Sequence, residues 1–236
     1  MELVLLGLPL GNIKDISLRA IETLKEAKLI ICEDSRVFRK LWLKLVNMGY
    51  LTGKYQGKLE VVNEYNEKNK VEMLLAEIGL VGKAVLVSDA GMPLISDPGF
   101  RLTKKFIEMG GKVTSVPGPS AGVTAVCLSG LSSDKFLFLG FLPKKRSKRE
   151  KYWGLFKILA GFGVTVVIYE PARSVLKTLL EIKKEFIDLR VVVARELTKK
   201  YEEIIRGKIE NVVLELDKKK IKGEVVLLLR LEKNQG

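Results

Sequence analysis

Through the first half of the chain, short apolar runs alternate with longer stretches of helical period, and this restricts the fold more than any other feature. The runs Glu2–Leu6, Leu29–Cys32, Ala84–Ser88 and Lys112–Val116 are nearly continuous in apolar residues rather than alternating with polar ones. That is the pattern of parallel strands covered on both faces. Parallel strands need crossover segments, and ISLRAIETLKEAK supplies one. Its Leu18, Ile21 and Leu24 form a stripe at helical spacing, with Asp15 or Ser17 as the cap. Phe100–Met109 reads as another helix, led in by Pro98.

Two loops rich in small residues, SDAGMPLISDPG at 88–99 and VPGPSAG at 116–122, each follow such a run and open a helix. Open α/β sheets build ligand sites at this kind of position, from backbone amides rather than side chains. GLPLG at 7–11 also leaves a strand but lacks the GxGxxG and Gly-Lys-Ser/Thr patterns, so it shapes a turn rather than a nucleotide fingerprint.

In the second half FLFLGFL, Val164–Tyr169, Arg190–Ala194, EEIIRG and GEVVLLLRL read as strands. Helices are expected at Trp153–Leu159, SVLKTLLEIKKEF and Ile209–Leu216. The expectation is an α/β protein of two domains in series, 1–116 and 117–236, the second with a mixed sheet.

The chain of 236 residues holds 41 Lys plus Arg against 28 Asp plus Glu, a net charge of +13, and no histidine. The absence of histidine excludes Ser-His-Asp triads, HExxH zinc sites and imidazole bases, leaving acid and base work to Asp, Glu, Lys or Tyr. The surplus of positive charge suits a polyanion such as RNA, or serves solubility alone. Cys32 and Cys127 form no CxxC or metal-ligand spacing and are expected to be buried, inert thiols of a reduced compartment. With Glu2 and no basic leader, the N-terminus reads as a first strand, so no membrane segment and a cytoplasmic location are expected.

Several polar runs fall at strand ends. In CEDSR, 32–36, Asp34 or Ser35 caps a helix, or else Glu33, Asp34 and Arg36 line a ligand crevice. In NEYNE, 63–67, Asn66 is a cap or the run lines a substrate cleft. KKRSKREK, 144–151, is followed by Tyr152 and Trp153; it is either a solvated face or linker, or a phosphate and base-stacking surface. DKKKIKG, 217–223, reads as surface or turn.

Taken in order, GLPLGNIKDISLRAIETLKEAKLIICEDSR, NEYNE, LVSDAGMPLISDPG, VPGPSA, FLGFLP, YEPAR and ARELTKKYEEIIRG resemble the bacterial ribosomal RNA small-subunit methyltransferase I family. That family belongs to the wider tetrapyrrole-methylase group, and the resemblance runs from about Leu5 to Leu229. It implies two α/β domains with S-adenosylmethionine folded in the cleft between them, and a homodimer. The implied activity is transfer of methyl to the ribose 2′-oxygen of a cytidine in the decoding region of 16S rRNA, in the 30S subunit. Cofactor contacts are implied at Leu10, Gly91, Met92, Ile95, Ser120, Ala121, Tyr169, Ala194 and Gly223. With no histidine available, Glu33, Asp34 and Glu64 are the candidates to hold or deprotonate the acceptor hydroxyl, while Asp89 and Asp97 order the cofactor loop. Arg36, Arg39, Lys144, Lys145, Arg146, Lys148 and Arg149 are the candidate RNA contacts.

Three departures from the family pattern stand out: Met92 where Thr is common, Tyr65 where His is common, and an end soon after GEVVLLLRL where many relatives continue. RNA contacts of that longer region are expected to fall to the basic segments here. A methyltransferase acting on a small tetrapyrrole, and a non-catalytic RNA-binding protein, are the alternatives.

Overall fold

The computed structural model describes residues 1–219 and 221–231, leaving aside the side chain of Arg146. The chain divides into two compact units, Met1–Ser120 and Ala121–Gly236.

The first unit follows the alternation in the sequence: β1 (Glu2–Leu6), α1 (Leu18–Glu26), β2 (Leu29–Cys32), α2 (Ser35–Asn47), β3 (Lys58–Val61), α3 (Glu67–Val81), β4 (Lys83–Leu86), α4 (Phe100–Glu108) and β5 (Lys112–Val116). The strands form one sheet of order β3-β2-β4-β1-β5, and every pairing is parallel. Because side chains alternate across a strand, each strand feeds both faces. Val4, Leu6, Ile30, Cys32 and Val85 pack with Ile21 and Leu24 of α1 and Phe38, Trp42 and Leu45 of α2. Leu3, Leu29, Ile31, Ala84 and Leu86 pack with Leu74 and Ile78 of α3 and Leu102 and Phe106 of α4. Of the two expected caps for α1, Ser17 is the one used: its Oγ accepts from the Ala20 amide at 3.1 Å, while Asp15 lies in a 3₁₀ turn. Gly99 occupies the N-cap position of α4, so Pro98 lies before the helix rather than in its first turn.

The second unit contains α5 (Ala121–Ser129), β6 (Phe136–Phe141), α6 (Arg146–Ala160), β7 (Val164–Pro171), α7 (Val175–Glu185), β8 (Arg190–Arg195), β9 (Glu203–Lys208), α8 (Ile209–Asp217) and β10 (Glu224–Leu231). Its sheet, of order β6-β7-β10-β8-β9, is mixed: β6 runs parallel to β7 and the other pairings are antiparallel. One face packs under α6, α7 and α8, and the other under α5.

Contrary to the expectation for both cysteines, only Cys32 is buried; Cys127 is exposed on α5. Burial, and then the charge of Asp89, push the Cys32 thiol up to about 12, so it stays protonated and unreactive. Among the described residues, no helix is long and apolar enough to cross a membrane.

Candidate functional site

In a parallel sheet all strands end on the same edge, so the loops leaving neighbouring strands must meet. Here β1 lies between β4 and β5, which brings GLPLG, SDAGMPLISDPG and VPGPS side by side. They are fastened through the backbone. Leu8 N donates to Gly91 O at 2.8 Å, Gly91 N donates back to Leu8 O at 3.0 Å, and Gly7 N donates to Val116 O at 3.0 Å. Gly7 and Gly118 touch main chain to main chain: a Cβ on Gly7 would sit 2.6 Å from the Gly118 Cα. The sequence alone does not single out this pair, although each glycine lies within two residues of a proline in a strand-end loop.

Gly91 adopts φ 75°, which glycine accommodates without a clash. A side chain there would press on Leu10 and on the Pro119 carbonyl, at 3.2 and 3.3 Å. Met92 turns inward, its Sδ accepting from Gly118 N at 3.2 Å, so it braces the loops. Leu94 and Ser96 are held at φ 73° and 69°, a conformation that costs an L-residue roughly 1–2 kcal/mol. Such strain persists only where surrounding structure imposes it, and it concentrates at ligand sites. Ile95, between them, is exposed.

Beside these loops lies a group of carboxylates. Asp89, at the exit of β4, accepts a hydrogen bond from the Asp34 amide at the exit of β2, at 3.1 Å. Burial, and then the neighbouring Asp89, raise the pKa of Glu33 above the usual carboxylate range. Burial also raises Asp89. Asp97 is pushed up to about 7, first by burial and then by the charge of Glu33. A carboxyl that titrates near neutral pH can both take and give a proton at that pH.

Asp34 stands apart from this group. It is the N-cap of α2, its carboxylate accepting from the Arg36 amide at 2.8 Å and from the Arg36 guanidinium at 2.6 Å. Those hydrogen bonds hold it down at about 2, where it is a poor proton acceptor. The capping reading of CEDSR therefore applies to Asp34, and Glu33 is left out of the cap. Arg36 and Arg39 are both exposed on α2.

Glu64 is exposed, and its charge contributes to raising Glu33. Around it, Asn63 and Asn66 lock the loop: Asn66 Oδ1 accepts from Asn63 N at 2.9 Å, and Asn63 Oδ1 accepts from Tyr65 N and Asn66 N, both at 3.1 Å. Asn66 precedes α3 without a side-chain cap bond. Tyr65 projects outward, 93% exposed. Glu67, not singled out from the sequence, is buried; its Oε1 accepts from the amides of Arg101 and Leu102 at 2.7 and 3.2 Å. It thereby caps α4 and anchors the end of the dense loop.

Ser120 closes the first unit and Ala121 begins α5, both half-buried. In the second unit, Tyr169 on β7 accepts from the Gly122 amide at 3.1 Å and packs edge-on to Phe138 and Phe141. Ala194, mid-strand in β8, is fully buried within the cluster under α5, so its side chain offers no surface to a ligand. Gly223 precedes β10 and lies against the Glu196 side chain.

The basic run divides once it is wound into a helix. Lys144, Lys145 and Lys148 are exposed at the start of α6, and the Arg146 side chain lies outside the described part. Arg149 is buried, contrary to its expected role in RNA contact. Its guanidinium donates to Thr178 Oγ1 at 2.6 Å and Glu181 at 3.0 Å, and stands 3.7 Å from Glu170. Trp153 is also buried, packed on Phe156, and cannot stack on a base. A helical period of 3.6 turns every third or fourth residue of such a run inward.

Residues 2–213 match the family model for tetrapyrrole (corrin/porphyrin) methylases. The chain is 41% identical over 98% of its length to the ribosomal RNA small subunit methyltransferase I of Hydrogenobaculum sp., covering 96% of that protein. It is 37% identical over 97% of its length to the protein of the same name from Thermotoga maritima, again covering 97% of it. Among solved structures, uroporphyrin III C-methyltransferase from Thermus thermophilus superposes with a TM-score of 0.66 at 17% identity, covering 98% of this chain and 97% of that one. Diphthine synthase superposes with a TM-score of 0.72 at 15% identity, covering 99% and 90%. Those two likenesses concern the fold.

S-adenosylmethionine presents an apolar purine, hydrogen-bonding ribose and amino-acid groups, and a cationic sulfonium, and the residues of the first unit suit each of these. Backbone brought close by Gly7, Gly91 and Gly118 offers polar main-chain groups without intervening side chains, Ile95 and Leu10 offer apolar surface that would suit the purine, and the Glu33, Asp89 and Asp97 group favours positive charge. The chain therefore belongs to the tetrapyrrole methylase family, in the group of ribosomal RNA small subunit methyltransferase I proteins, and its methyl donor is S-adenosylmethionine.

Proposed function

We propose that this protein methylates the ribose 2′-oxygen of a cytidine in the decoding region of 16S rRNA. The observation that carries the reading is the group of partly buried carboxylates, Glu33, Asp89 and Asp97, beside the strained small-residue loops of a chain that has no histidine. Kinship to proteins named as ribosomal RNA methyltransferases supplies the class of acceptor.

When bound, the cofactor supplies an electrophilic methyl group on a sulfonium. The protein's share is alignment and the handling of one proton. Glu33 accepts the proton of the ribose hydroxyl, its basicity raised by burial and by Asp89. Asp97 buffers that proton near neutral pH. Glu64 helps to position the hydroxyl from the NEYNE loop. Asp34 keeps Arg36 in a fixed fork at the start of α2. Arg36 and Arg39, with Lys144, Lys145 and Lys148, hold RNA phosphates. The backbone of the dense loop around Gly91, Met92 and Ile95, together with Leu10, Ser120, Ala121, Tyr169 and Gly223, holds the cofactor. The protein works as a cytoplasmic homodimer on the 30S subunit.

The deciding experiment uses small ribosomal subunits from cells lacking this protein, incubated with it and labelled cofactor, followed by mapping of the modified nucleotide. Label on the 2′-oxygen of one decoding-region cytidine supports the reading. Label on a precorrin pool but not on RNA refutes it in favour of a tetrapyrrole acceptor. Light scattering of the purified protein tests the dimer.

A further inference from the structure

The edge of the first sheet opposite the small-residue loops carries a second concave site. At the N-terminal ends of β2 and β3, a cavity of about 580 Å³ opens among the end of α1, the middle of α2 and the segment 51–58. Its size falls within the roughly 300–1,000 Å³ usual for ligand pockets. Its walls are held by hydrogen bonds rather than by loop chance: Trp42 Nε1 donates to Gly53 O at 2.9 Å, and the Tyr55 hydroxyl donates to Ala27 O at 3.0 Å. Phe38, Trp42 and Tyr55 form an aromatic cluster, with the Trp42 and Tyr55 rings 5.0 Å apart, and the last two line the cavity. Burial holds the Tyr55 phenol up at about 12, so it remains a neutral donor.

Lys25, Lys28 and Lys54 converge on this cavity, all exposed, and none is in an ion pair among the described residues. Lys58, also at the rim, is different, because it is engaged by Glu77 and Glu60. Against the free lysines the cavity sets one carboxylate, Glu26, and the neutral Thr52 and Gln56. A concentration of cations around an aromatic floor favours a phosphate backbone that carries flat bases, the chemistry of single-stranded nucleic acid.

We infer that this cavity is a second RNA site, binding a single-stranded segment of the same RNA whose nucleotide is methylated at the other edge of the sheet. The inference rests on the RNA reading of the function for the identity of its ligand. Lys25, Lys28 and Lys54 bind phosphates, and a base rests on the half-buried Tyr55, which the buried Trp42 backs from the core. The site contributes affinity and register and takes no part in the methyl transfer.

The test compares the full-length protein with K25E/K28E/K54E and with a charge-matched control, K68E/K105E/K112E, whose exposed lysines lie on α3, α4 and β5. The probe is a small-subunit rRNA transcript spanning the decoding region, followed by fluorescence anisotropy over a salt series, with cofactor affinity measured by calorimetry. The expected result is at least about a tenfold loss of RNA affinity for the cavity variant. The slope of log K against log salt should also shrink by about 2, since each lost single-strand phosphate contact removes about 0.7. Cofactor affinity stays unchanged. The neutral variant K25Q/K28Q/K54Q is expected to give the same loss of slope. If the wild type binds and methylates RNA but the cavity variant behaves like the control, the second site is overturned and the function stands. If the wild type has no affinity for the transcript or for the 30S subunit, the RNA reading falls and takes this site with it.

Discussion

Each unit of this protein gathers charged side chains in one partly or wholly buried place, and the two groups are built in opposite ways. In the second unit Arg149 meets Glu170, Glu181 and Thr178, joining α6, β7 and α7 with a cation set among its counter-charges. In the first unit burial raises the pKa of Glu33, Asp89 and Asp97, and the charge of Asp89 adds to the rise at Glu33 and Asp97. A paired cluster fixes the packing of elements, whereas an unpaired one leaves proton affinity and negative potential for a ligand to use. The contrast gives the second group an architectural role, although the sequence had placed Arg149 on the RNA surface, and it fits the chemistry we propose for the first.

The contrast can be broken most forcefully at Glu33. Glu33→Gln is expected to lower single-turnover methylation roughly 10²- to 10⁴-fold, with cofactor affinity by calorimetry within about twofold. An unchanged rate would remove Glu33 from the chemistry. In the other cluster, Arg149→Ala leaves Glu170 and Glu181 without their cation and should cost about 3–5 kcal/mol of stability in denaturant unfolding. A loss of RNA affinity with stability intact would instead return Arg149 to the surface role.

Asp97 sharpens the comparison through pH. Its carboxyl has a folded-state pKa of about 7, above its unfolded value of about 4. Between those values the folded state binds the extra proton, so stability is greatest below about pH 4 and is lost as pH rises toward 7. Asp97→Asn should therefore stabilise the protein at pH 8 relative to the wild type by about 1–2 kcal/mol, allowing for solvent screening. The difference should fade at pH 4.5. Equal melting shifts at both pH values would show that Asp97 carries no strained charge. The smallest effect is expected at Asp34. Asn preserves the N-cap, so Asp34→Asn should cost under about 1 kcal/mol and change turnover only a few-fold. A loss as large as that of Glu33→Gln would restore Asp34 to the acid and base chemistry.

The central strands of both units were legible because burial on both faces writes itself into composition, as in VVIY of β7 and LIIC of β2, whereas the edge strand β3, only partly buried, lacks that signal. The position of the site was legible for a related reason. Parallel strands put their ends on one edge, so small-residue runs after β4 and β5 announce a crevice. What was not legible were directions. The run KKRSKREK has a uniform charge pattern, and nothing local says that Arg149 turns inward while Lys148 stays out. CEDSR presents two adjacent acids, and only the entry into α2 commits Asp34 to its own helix and leaves Glu33 beside Asp89 with a raised pKa.

Taken alone, the sequence determined the class of fold, the absence of imidazole chemistry and the small-residue stretches at the strand ends, because these depend on composition and on local period. Tertiary structure decided which charges are spent and which are kept. The approach of Gly7 to Gly118, the capping of α4 by Glu67 and the raised pKa of Asp97 all join residues far apart in the chain. A pKa or a close contact depends on what lies across the gap, and that partner is fixed only once the sheet has formed.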